Sequence, residues 1–194
     1  MTSNSILSWT IAAVLLFWAV GAYNRLVRLR AEAHAAFASV EAEFTKQVEL
    51  VSKYLPGAEF TQPASLEPES TFWAGLQGAA RQFAASLAAA RHRPLDAKRI
   101  AALNAACDVL VMAWETAQRD EAHDLAGPRL PDSLLARRSQ LVAQTHAAIE
   151  QFNAAVVRYN EAIAQFPAVL LAWLFGFEPG LGLAASLGAM APAR

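Results

Sequence analysis

Histidine, cysteine and paired carboxylates are the side chains with which this chain of 194 residues could do acid-base, nucleophilic or metal chemistry, and they are scattered along it. His34, His92, His123 and His146 fall on four different segments. None stands at a metal-ligand spacing from another histidine, a cysteine or a carboxylate on one helix face. His123, beside Asp124 and close to Glu121, comes nearest to a site. Successive residues of a helix point in different directions, however, so a solvated helix end accounts for that group. Cys107 lies inside an apolar stripe, where a thiol packs as a small hydrophobe. Glu41 with Glu43, and Arg137 with Arg138, read as solvated faces, Arg138 snorkelling at the edge of a stripe. A Gly-rich phosphate loop, a Gly-x-Ser-x-Gly elbow and a two-histidine zinc helix are all missing from the sequence. The reading is of a protein that is not an enzyme and uses no cofactor or metal.

The elements that would position any functional residue begin with an apolar run. Residues 6–22, ILSWTIAAVLLFWAVGA, carry no formal charge and are followed by Tyr23, Asn24, Arg25, Arg28 and Arg30. At about 1.5 Å rise per residue such a run approaches the roughly 30 Å hydrocarbon thickness of a bilayer. It reads as a transmembrane anchor. A cleaved signal peptide fits less well, because residues 1–5 hold no basic side chain and the pattern runs on without a break. A buried helix of a soluble protein is the other alternative. Basic residues follow the span and none precede it, which predicts an outer N-terminus and a cytoplasmic C-terminal side. Tyr23, Arg25, Arg28 and Arg30 then stand at the membrane interface, where each arginine gains about 1 kcal/mol against anionic lipid.

Beyond the anchor the apolar positions recur every three or four residues. Leu29, Ala33, Phe37, Val40, Phe44, Val48, Val51 and Leu55 form one stripe, ending at Pro56 and Gly57. Residues 56–70 hold three prolines and no period, the pattern of a loop far from the membrane. Ser70 is the expected N-cap of a second helix with the stripe Phe72, Leu76, Ala80, Phe83, Leu87 and Ala90. Asp96 should cap a third, with Ile100, Leu103, Cys107, Leu110, Trp114 and Ala117, stopping at Gly127 and Pro128. The fourth opens at residues 131–133 and carries Leu134, Arg138, Leu141, Thr145, Ile149, Phe152, Val156, Tyr159, Ile163 and Phe166 before Pro167.

These patterns predict an all-α protein: an N-terminal transmembrane helix continuing into an antiparallel four-helix bundle of long helices. The expected organisation is an anchor over residues 1–23, a bundle over 24–167, and an apolar C-terminal segment with its tail over 168–194. Helix parity returns Phe166 to the membrane. Residues 168–177 are apolar but too short to span, so they should lie in the interface with Trp173 at headgroup level, or fold back on the base of the bundle. A re-entrant passage through residues 181–191 is disfavoured by the Glu178-Pro179-Gly180 break. Parity also sets Tyr23 and Asn24 beside Tyr159 and Asn160. Asn24, Asn153, Tyr159 and Asn160 therefore read either as a polar latch between the first and fourth helices, as a docking face, or as ordinary interface residues.

Composition narrows the partners. A formal net charge of -1, 55% hydrophobic residues and one cysteine exclude a long charged tail and an internal disulfide. No basic face of the kind nucleic acid needs is present. The partners expected are the lipid bilayer and another protein, with no nucleic acid.

The segments Tyr23-Asn24-Arg25-Leu26-Val27-Arg28-Leu29-Arg30 and Phe152-Asn153-Ala154-Ala155-Val156-Val157-Arg158-Tyr159-Asn160, continuing through Phe166-Pro167 to Leu174-Phe175-Gly176-Phe177-Glu178-Pro179, resemble the LemA family of bacterial membrane proteins. The resemblance implies a single anchor in the bacterial inner membrane, an outer N-terminus, a cytoplasmic bundle of long helices and a poorly defined biochemical role. The middle of the chain departs from the family: Leu50-Val51-Ser52-Lys53-Tyr54-Leu55 stands where a Leu-Ile-Pro-Asn-Leu-Val type of sequence is usual, and the second helix is rich in alanine. Two functions follow as expectations. One is a scaffold presenting a helical face or the Pro-rich segment 56–68; the other is a regulatory accessory reading the lipid surface through residues 25–30 and 168–177.

Overall fold

The computed structural model describes residues 2–54, 68–123, 132–166 and 168–184. They form five helices: α1 (Thr2–Tyr54), α2 (Pro68–His92), α3 (Ala97–His123), α4 (Asp132–Ala164) and α5 (Ala168–Phe175). The protein is an all-α helical bundle. Among the described residues one helix, α1, is long and apolar enough near its N-terminus to cross a membrane, by length and composition.

α1 is continuous over 53 residues, so nothing in the backbone separates the apolar run from the amphipathic part. What changes is the cover. Leu7, Trp9, Ile11, Val14 and Phe17 are exposed, Trp9 at 77% and Phe17 at 81%. From Leu26 onward a single stripe is buried: Leu26, Leu29, Ala33, Phe37, Val40, Phe44 and Val51. Helical periodicity places these positions on one face, and that face meets α4 and α2.

The register of the bundle is antiparallel. Arg25 reaches Gln165, Glu32 faces Arg158, Phe37 meets Phe152 edge-on at 5.4 Å, and Gln47 reaches Thr145, so positions on α4 descend as those on α1 rise. The pair α1 and α2 behaves likewise, with Phe44 on Phe83 at 4.9 Å and Arg91 on Glu41 at 3.3 Å. Asp96 caps α3 by accepting from the Lys98 and Arg99 backbone N–H groups, which explains the sharp turn after α2. The core joins stripes from α1 to α4 through Phe44, Phe83, Leu103, Ile149 and Phe152. A second cluster at the foot of the bundle gathers Leu26, Leu29, Tyr159, Ala162, Ile163 and Ala172.

Four expectations need correction or placement. α2 begins at Pro68 rather than after Ser70, because proline is tolerated in a first turn whose N–H groups have no helical acceptor. α3 is described as far as His123. Phe166 leaves the α4 stripe and is 81% exposed, because the regular helix ends two residues before it. Residues 55–67 and 124–131, and with them the Pro-rich segment and the Gly127-Pro128 stop, lie outside the described residues.

Candidate functional site

The polar groups that do converge lie around the C-terminal segment. α5 closes on Gly176, whose φ of +67° is the left-handed conformation that glycine adopts without a Cβ penalty. The Phe177 N–H then bonds the Ala172 carbonyl at 2.9 Å, the six-to-one bond of a Schellman cap. The chain is thereby turned back along the bundle, and residues 178–184 run as an extended strap beside α4 and α3.

Three asparagines read the backbone of that strap. Asn160 donates its amide to the Gly180 carbonyl and accepts from the Gly180 N–H, both at 2.8 Å. Two helical turns earlier, Asn153 does the same to Leu183, at 2.9 and 2.8 Å. Asn104, on α3, donates to the Gly182 carbonyl at 3.4 Å and accepts from the Ala184 N–H at 3.0 Å. Tyr159 adds a bond from its hydroxyl to the Glu178 carbonyl at 3.0 Å. A carboxamide carries one acceptor and one donor side by side, so it pairs with a peptide group as a neighbouring β-strand would. The spacing matches as well: seven helical residues rise about 10 Å, which three extended residues also cover.

Close approach requires small residues in the strap. A Cβ on Gly182 would stand 2.8 Å from Asn153 Oδ1, and one on Gly180 would stand 2.7 Å from a Leu95 methyl. Leu183 inserts into the main core. The strap thus fills a seam where α3 and α4 do not pack backbone to backbone.

These observations revise the latch reading. Asn153, Tyr159 and Asn160 tie α4 to the C-terminal strap rather than to α1, and Asn24 is exposed and takes no part in their bonds. Tyr159 is almost wholly buried with Leu26 and Leu29. Burial raises its phenol pKa, opposed by Arg30 and reinforced by Glu178. Asn104 and the two glycines were not singled out by sequence pattern. The usable signal was one amide among the alanines of α3, facing a glycine-rich tail. Residues 181–184 lie along the bundle, and the rest of the segment read as a re-entrant passage, within residues 185–194, is outside the described residues.

The residues expected at a membrane interface make contacts within the protein. Tyr23 packs on Phe175 at 4.9 Å and on Phe177 at 6.1 Å, fixing α5 against α1. Arg25 donates to Gln165 at 3.5 Å, Arg28 pairs with Glu32 at 3.7 Å, and Arg30 lies 5.9 Å above the Phe177 ring. Trp173 is 84% exposed beside exposed Leu170, Leu174 and Phe175, while Ala172 on the opposite side is buried. α5 is therefore packed on the base of the bundle by one face and uncovered on the other.

Comparisons with family models, curated proteins and solved structures find no match for the chain.

The residues with chemical potential stay apart. Burial first, and Asp108 second, push the Cys107 thiol up to about 12, which removes its nucleophilic thiolate at neutral pH. Arg138 is not a solvated arginine: its guanidinium lies 4.8 Å over the Trp114 ring, and burial lowers its pKa to about 10 against the opposing field of Glu115. Glu41 pairs with Arg91 and Glu43 with Lys46 at 2.7 Å; the second Glu43 oxygen is buried without a hydrogen-bond partner among the described residues. His146 stands 3.4 Å from Glu150, and His34 is held below its ordinary pKa by burial and by Arg30. Among the described residues no three His, Cys, Asp or Glu side chains converge as metal ligands. The His123 grouping with Glu121 and Asp124 lies outside the described side chains.

Proposed function

We propose that the protein is a single-pass, membrane-anchored helical-bundle scaffold of LemA type, without enzymatic activity, that holds a protein partner at the bacterial inner membrane. In this reading residues 6–22 span, the N-terminus is outside, and the bundle stands in the cytoplasm. One observation carries the proposal: the large apolar side chains between Leu7 and Val20 stand exposed, whereas from Leu26 onward α1 buries an apolar stripe. Apolar surface on that scale costs about 25 cal/mol per Å² in water and nothing in lipid. The arginines that follow the run support the orientation. Among the described residues the bundle interior is filled by apolar side chains together with two satisfied hydroxyls: Thr145, which gives to Leu141 and receives from Gln47, and Tyr159, which gives to Glu178. That leaves the outer helix faces as the surface for a partner.

Alkaline carbonate extraction tests the anchor, and full-length protein should stay with the membranes. Fusion reporters at both ends test orientation: a periplasmic reporter active at the C-terminus would reverse it. Crosslinking from the α3 surface in membranes should then capture one protein at fixed stoichiometry. The second reading, a lipid-surface sensor, is favoured by the uncovered apolar face of α5 beside Tyr23. It predicts that anionic vesicles shift emission further to the blue in wild type than in Trp173→Phe, in which Trp9 and Trp18 of the anchor still enter lipid.

A further inference from the structure

Where α1 leaves its apolar half, α4 ends and α5 begins, the helices leave an open cavity of about 370 Å³. Trp18, Gly21 and Arg25 of α1 line one wall, and Gln165, Phe166 and Ala168 line the other. The α1 residues are spaced three and four apart, so they share a face and rise in order, about 10 Å from Trp18 to Arg25. The wall is consequently apolar below and cationic above. Gly21 makes the lower part open, since a Cβ there would meet no protein atom within 4 Å. At the upper rim Arg25 bonds only the neutral amide oxygen of Gln165, at 3.5 Å, and pairs with no carboxylate among the described residues.

We propose that this cavity binds one anionic phospholipid. The inference rests on residues 6–22 spanning the bilayer. In that setting the lower notch is surrounded by lipid, its apolar walls offer water no partners, and an acyl chain can lie beside Gly21 between Trp18 and Phe166. Arg25 stands where the headgroup phosphate sits. Its planar fork suits two phosphate oxygens, and the Gln165 amide supplies a further donor. A basic pocket next to a span, with tryptophan close to the interface, is the arrangement that retains acidic headgroups. A zwitterionic choline lipid brings its own cation toward Arg25, Arg28 and Arg30, so the site discriminates by charge. The volume lies within the usual range of ligand sites, roughly 300–1,000 Å³.

Native mass spectrometry of the full-length protein in mild detergent, titrated with phosphatidylglycerol and separately with phosphatidylcholine, tests the site. Wild type should retain one phosphatidylglycerol at a concentration at least tenfold below that needed for phosphatidylcholine. Gly21→Leu fills the notch from an open position and should lower that retention about tenfold, with the helical circular dichroism signal unchanged. Arg25→Gln should abolish the preference between the lipids, and Arg25→Lys should keep part of it. Equal retention of the two lipids by wild type, or wild-type retention by Gly21→Leu, overturns the proposal. Carbonate extraction run alongside separates the failures: protein that washes off refutes the anchor and the lipid site together, whereas protein that stays but shows no preference refutes the site alone.

Discussion

The two flanks of α4 are joined to the bundle by different chemistry. Toward α1 the contact is apolar and continuous: Phe152 on Phe37, Ile149 and Val156 in the same core, Ile163 with Leu26 and Leu29. Toward α3 the backbones stand apart, with Arg138 reaching across to Trp114, and a strap of backbone is pinned between the two helices by Asn104, Asn153 and Asn160. One flank depends on the volume of side chains, the other on hydrogen-bond pairing and on the absence of side chains at Gly180 and Gly182. The first tolerates any residues that fill the same space; the second tolerates almost no change in chemistry.

The largest break in this contrast comes from the apolar flank. Phe152→Ala removes a ring that is fully buried and stacked edge-on, and should cost about 3–5 kcal/mol, read as a fall in the midpoint of denaturant unfolding. On the other flank, Asn160→Ala leaves both polar groups of Gly180 without partners at a part-buried position and should cost about 1–3 kcal/mol. Asn160→Asp should do nearly the same, since it keeps the acceptor and loses the donor. Hydrogen exchange sharpens the comparison: Asn160→Ala should speed exchange at the Gly180 and Leu183 amides while leaving the middle of α4 protected. Gly182→Ala drives a methyl against the oxygen of the Asn153 carboxamide, a group already held by two bonds, and should cost about 1–2 kcal/mol; Gly78→Ala, at an open helical position, should be neutral or stabilising.

The smallest effect is a pH dependence on the apolar side. His34 has its folded-state pKa below the unfolded value of about 6.5, so the neutral imidazole favours the fold. Its contribution is present above pH 6.5 and is lost as pH falls through the folded-state value. Wild type should therefore lose slightly more thermal stability than His34→Gln between pH 7.5 and pH 5. An equal loss in the two would show that His34 does not carry the difference.

Much of the apolar flank was legible in the sequence, because burial against one neighbour imposes a repeat of three and four. Leu26, Ala33, Phe37, Val40 and Phe44 followed that repeat into the core, as did Leu103, Leu110, Ile149 and Phe152. The Asp96 cap was readable for a related reason, since a cap is local and needs only its own turn. The strap was not readable. Its residues have no period, its partners lie as far as 80 residues away, and an asparagine that binds a distant backbone looks like one that binds water. Asn153 and Asn160 were singled out by helix parity, yet parity could not say which element would meet them. Arg138 showed a similar limit: its place in a stripe was visible, but the Trp114 ring beneath it belongs to another helix.

The unbroken course of α1 has a mechanical consequence. A helix without a hinge behaves as a shaft, so any swivel of its apolar half is imposed on the domain at its other end. Inserting a single alanine after Tyr23 would turn the two halves by about 100° relative to each other, and inserting seven would restore their phase nearly in full while lengthening the shaft by about 10 Å. Whatever the domain meets when attached to its shaft should respond to angle with the period of a helix turn.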